Sequence, residues 1–104
     1  MYIIFLKFGP NRAQAGQWMA EHVQWIQRGI DSGNFLMAGS LDNAQGGVVM
    51  AANMDRAEIE HQIGLDPFVI HNVVTADIQA VAPSRLAPGF AAVLDHAKAS
   101  LTVM

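Results

Sequence analysis

The stretch Gly16–Leu41, GQWMAEHVQWIQRGIDSGNFLMAGSL, decides the fold, because it joins an amphipathic helix, a glycine stop and a buried strand. On a helical wheel of about 100° per residue, Trp18, Met19, Val23, Ile26 and Ile30 make one apolar stripe. Gln17, Glu21, Gln24, Gln27, Arg28 and Asp31 fill the opposite side. His22 breaks the stripe, one turn from both Trp18 and Ile26, so its imidazole points where a core is expected. A titratable, half-polar ring buried there without a partner costs roughly 1–3 kcal/mol, so it must be hydrogen-bonded or functional. The rest of the chain is read for what it brings to His22.

Working outward, Gly33 with Asn34 behind it ends the helix, and Phe35 to Leu41 reads as a strand. Upstream, Tyr2 to Phe8 is aromatic and β-branched and too short for a helix, which predicts a buried first strand broken by Gly9-Pro10-Asn11. Downstream, the turn formers Asp42 to Gly47 link the second strand to a third over Gly47 to Asn53, an antiparallel hairpin. Met54 to Ile63 is expected to be a second helix, capped by Asn53 or Asp55 and stopped by Gly64. Leu65-Asp66-Pro67-Phe68 is a tight corner. Val69 to Ala82 then alternates, with Val74, Ala76, Ile78, Ala80 and Ala82 on one face and Thr75, Asp77 and Gln79 on the other. Pro83 and Pro88 bracket a linker, and Gly89 to Leu101 is expected to be an alanine-rich helix.

The order β-α-β-β-α-β plus a terminal helix is the ferredoxin-like plan, an α+β fold with a four-stranded antiparallel sheet and two helices on one face. Residues 1–82 would form this domain and residues 83–104 a linker and helical extension. The other sheet face is left bare, and proteins of this plan often pair such faces in a dimer.

Composition narrows the function. The chain has 104 residues, enough for one core; 52% are hydrophobic and 14% charged, which fits a globular chain with some apolar surface covered by a partner subunit. A formal charge of −3 without a Lys/Arg cluster argues against nucleic acid and anionic membranes as partners. The absence of cysteine removes disulfides, thiolate metal sites and cysteine nucleophiles. The apolar run at the N-terminus ends at Lys7 and reads as a strand, not a leader peptide. No stretch reaches the roughly 18 apolar residues of a membrane span, so a cytoplasmic protein is expected.

Two readings of His22 stand side by side: a core histidine satisfied by a backbone carbonyl, and a general base. A base needs an orienting partner. Asp31 in the same helix faces the other way. Asp66 is better placed, because Pro67 holds it out of helical geometry at a corner that can approach the first helix. Its plainer role is turn initiation, with the carboxylate accepting backbone N–H bonds. His61, His71 and His96 form no HxxH or HExxH spacing, and no metal site or cofactor is expected. Gly46-Gly47 lacks the strand–glycine–helix context of a phosphate loop. Trp18 and Trp25 read as core or as the wall of an apolar pocket.

His22, Gly33, Phe35-Leu36-Met37-Ala38-Gly39-Ser40-Leu41, Gly47-Val48-Val49 and Asp66-Pro67-Phe68 together resemble the YCII-related (YciI-like) domain over roughly residues 1–82. The resemblance implies a dimeric α+β barrel and a His–Asp catalytic dyad, here His22 and Asp66. One relative is a dehydrochlorinase of chlorinated hydroxyquinol breakdown, and muconolactone isomerase shares the wider fold. Two features depart from the pattern: Ser40 stands where a proline is usual, and the chain continues past the family core. Trp18, Ile26, Gly39, Ser40 and Phe68 are expected to line the pocket. The function expected is general acid/base chemistry on a small molecule, that is, proton abstraction, elimination or isomerisation by a homodimer. The alternative is a binding or accessory module on the same fold.

Overall fold

In a computed structural model that describes residues 1–94, the central strand is the one expected from the N-terminal apolar run, β1 (Tyr2–Phe8). It pairs antiparallel with β3 (Gly46–Ala51) on one side and β4 (Val74–Ala80) on the other. The hairpin partner β2 (Phe35–Ser40) extends the sheet beyond β3, giving the order β2-β3-β1-β4. The helices α1 (Ala15–Asp31) and α2 (Arg56–Gly64) connect the strands. This is the ferredoxin-like α+β plan.

Alternation along the strands sets the layers. Ile4, Leu6, Val49 and Val74 point to the helices and are buried against Trp25 of α1 and Ile59 and Ile63 of α2. Phe5, Lys7, Asp77 and Gln79 look the other way, onto the face that carries no helix among the described residues. Two glycines hold the turns. Gly33 takes φ +81° after α1, its N–H donating to the Ile30 carbonyl. Gly46 has φ +130°, and any side chain there would collide with the Leu6 carbonyl oxygen.

Four expectations are corrected. The buried side of α1 runs through Trp18, His22, Trp25 and Ile26, while Met19, Val23 and Ile30 are exposed, so the helix is turned by about one residue from the stripe read above. The strand expected from Val69 begins at Val74. Asp66 instead starts a short helix, α3 (Pro67–Ile70), with Pro67 in its first turn, where the missing N–H is harmless. The second helix begins at Arg56, capped by Asp55, whose carboxylate accepts from the Glu58 N–H at 2.8 Å, and Gly64 is its last residue. In the described part of the expected terminal helix, Phe90–Val93 is one 3-10 turn that ends in extended backbone at Leu94. There Phe90 and Leu94 pack with Leu86 against Leu36 and Ala52. Residues 95–104 of that expectation lie outside the described residues.

Candidate functional site

α1 and α3 meet through a row of rings. Positions four and then three residues apart on α1 place Trp18, His22 and Trp25 on one side of the helix. Trp18 stacks on His71 at 3.6 Å between ring centroids, and His22 stacks on Phe68 at 3.9 Å with 4° between planes. Trp25 lies 5.9 Å from His22 and donates Nε1–H to the Gln62 carbonyl at 3.0 Å, which ties the end of α2 to α1. These contacts fix the imidazole plane.

Asp66 is fully buried at the head of α3. Its Oδ1 accepts the Phe68 N–H at 2.9 Å, so the carboxylate caps its own short helix as an Asp-Pro corner usually does. The same oxygen lies 2.7 Å from Nδ1 of His22. A carboxylate offers only acceptors, so Nδ1 carries the proton of this bond and a neutral ring keeps its lone pair on Nε2. The turn-capping bond and the bond to His22 are therefore made at once, through one atom.

Among the described residues, the buried side-chain nitrogens and oxygens without a partner are Trp18 Nε1 and Asp66 Oδ2. Nε2 of His22 is not one of them: it makes no hydrogen bond among the described residues, and the side chain keeps 12% of its surface exposed. Beside the imidazole lies a cavity of about 230 Å³ between α1, α3 and the end of the sheet. Gly39, Ser40 and Phe68 line it with His22. Trp18 and Ile26, expected on the same wall, do not; the ring row and the core hold them instead. Met19 and Val23 take that place at the rim, and Leu6, Phe8, Gly46, Gly47 and Val74 complete the lining. The apolar residues at helical spacing signalled Met19 and Val23, but as core. Gly46-Gly47 gave no signal beyond a turn. A wider, open hollow of about 850 Å³ crosses the helix-free sheet face, away from His22.

His61 is exposed on α2, and His71 ends α3 beneath Trp18. No three His, Asp or Glu side chains among the described residues cluster to hold a metal ion, and no helix there is long and apolar enough to cross a membrane. The site thus brings an imidazole, hydrogen-bonded to a buried carboxylate, to the lining of an apolar cavity.

No protein-family model matches the chain, and no curated protein matches it. Among solved structures it is similar in fold to 5-chloro-2-hydroxyhydroquinone dehydrochlorinase (TftG) from Burkholderia phenoliruptrix AC1100 in complex with 2,5-dihydroxybenzoquinone. The TM-score is 0.64 at 9% identity, covering 81% of this chain and 96% of the other.

Proposed function

We propose that this protein is a small-molecule enzyme in which His22 is the general acid/base and Asp66 its orienting partner. The observation that carries the reading is the 2.7 Å bond from Nδ1 to a fully buried carboxylate, with the imidazole lining a cavity and Nε2 making no hydrogen bond among the described residues. In the proposed reaction Nε2 takes a proton from a carbon next to a carbonyl, or from a ring hydroxyl. The electron pair left behind moves into the carbonyl or expels a leaving group. Asp66 stabilises the imidazolium that forms and keeps the ring in one tautomer. Returning the proton elsewhere completes an isomerisation; losing a leaving group such as halide completes an elimination. The fold shared with a dehydrochlorinase holding a dihydroxybenzoquinone supports this reaction class and a small-ring substrate. The YciI-like resemblance belongs to the same proposal, as does a homodimer formed through the bare sheet face.

The test is deuterium uptake from D₂O into a panel of small cyclic ketones and lactones, together with halide release from chlorinated hydroquinones. Wild-type protein should catalyse one of these, and His22→Gln and Asp66→Ala should each abolish it. Turnover that survives His22→Gln would overturn the proposal. A second reading, a ligand-binding module without turnover, is favoured by one observation: His22 is the single titratable side chain lining the cavity. Ligand-induced thermal stabilisation without any proton exchange would select it.

A further inference from the structure

The His22 cavity has no charged side chain in its lining. Its apolar walls come from residues such as Phe8, Phe68 and Val74, and its side-chain polar groups are His22 and Ser40, an exposed residue at the end of β2 that also borders the wider hollow. Asp66 stands behind the imidazole, fully buried and bonded to Nδ1. With a neutral ring the pair carries one negative charge, and with an imidazolium it carries none. The neutral-ring state repels an anion, and a carboxylate desolvated against these walls beside it, with no cation in the lining, is strongly disfavoured. The two cations nearest in the described residues, Arg12 and Lys7, do not line the cavity. Arg12 lies 4.2 Å over the Phe8 ring and donates to the Ala44 carbonyl at 3.2 Å, and Lys7 borders the hollow on the opposite sheet face.

Ser40 is placed by register. It pairs with Gly47, and Gly47 pairs with Leu6. Residues directly opposed in antiparallel strands share a side, and Leu6 belongs to the helix-side core, so the Ser40 side chain stands on the cavity side. Its hydroxyl makes no hydrogen bond among the described residues, and it both donates and accepts. Between Ser40 and Leu6 the room comes from Gly47. A Cβ built there would meet, within 4 Å, only the Gly39 carbonyl oxygen at 3.2 Å, and the rest of that direction is open. About 150 Å³ accommodates benzene, so this cavity takes one ring with small substituents.

We infer that Ser40 determines specificity here: its hydroxyl holds an oxygen substituent of an uncharged single ring presented to His22, and the cavity rejects the carboxylated form of that ring. The inference rests on the cavity being the ligand site, and it does not require turnover there.

Binding of phenol, toluene and 4-hydroxybenzoate to the full-length protein tests it, followed by the His22 imidazole signals in nitrogen-15 NMR. Phenol should bind at least about tenfold more tightly than 4-hydroxybenzoate. Ser40→Ala should weaken phenol by about three- to tenfold, the worth of one neutral hydrogen bond, and leave toluene unchanged. Three results would overturn the inference: 4-hydroxybenzoate binding as well as phenol, Ser40→Ala weakening phenol and toluene alike, or no probe moving His22. Selective phenol binding to a protein that shows no turnover upholds the inference while the enzymatic reading fails.

Discussion

Oδ1 of Asp66 serves two donors, and substitutions can separate them. Asp66→Ala removes the cap of α3 as well as the imidazole's partner, and should lower stability by about 0.5–2 kcal/mol in urea denaturation. Asp66→Asn keeps an oxygen for the Phe68 N–H, so its stability should stay near wild type, while any His22-dependent turnover falls because a neutral amide stabilises an imidazolium poorly. Equal destabilisation by Asn and Ala would show that the carboxylate's charge, not its capping, holds the corner. Both residues were legible in the sequence for physical reasons. A histidine on an apolar stripe needs a partner, and an aspartate before proline is held in place. Two features were not legible. That one oxygen would take both bonds depends on the packing of α1 against α3. So does the stacking of Trp18 on His71, which draws the indole away from the cavity.

At the scale of elements, the face of α1 is the informative error. Met19 and Val23 are apolar and sit within one residue of the true buried row, so the wheel could not tell a core position from a cavity rim. Substitution can. Trp25, 3% exposed, should cost about 3–5 kcal/mol on Trp25→Ala, whereas Val23→Ala, at 52% exposure, should stay within about 0.5 kcal/mol. The reverse order in denaturation would turn the helix back to the stripe read from sequence. Val69 and Ile70 misled similarly, because a short apolar run suits a strand or one turn of helix until the capping aspartate is seen at its head. The segment after β4 makes its own prediction. Leu94 is buried on Leu36 and Ala52 while Val93 is half exposed, so Leu94→Ala should lower the melting temperature and Val93→Ala should not. Equal melting temperatures would show that the segment adds nothing to the fold.

Among the described residues, one sheet face is covered by helices and the other is not. The order of elements made this legible, and 52% hydrophobic residues with 14% charged made a covered second face the natural reading. We propose that a second copy covers it. Light scattering at micromolar concentration should give twice the chain mass of 11.2 kDa, and Phe5→Asp, which sets a carboxylate opposite Asp77 across β1 and β4, should give the monomer. A wild-type monomer would contradict the dimer and leave the His22 cavity to a single chain. What that cavity does turns on the proton of one ring. Nitrogen-15 NMR of His22 in the intact protein, at a pH where the imidazole is neutral, reads it directly. The expected result is a proton on Nδ1, a bare Nε2 whose signal shifts when phenol is added, and loss of that tautomer preference in Asp66→Ala. A wild-type His22 protonated on Nε2, or an Nε2 signal indifferent to any added ring, would contradict it.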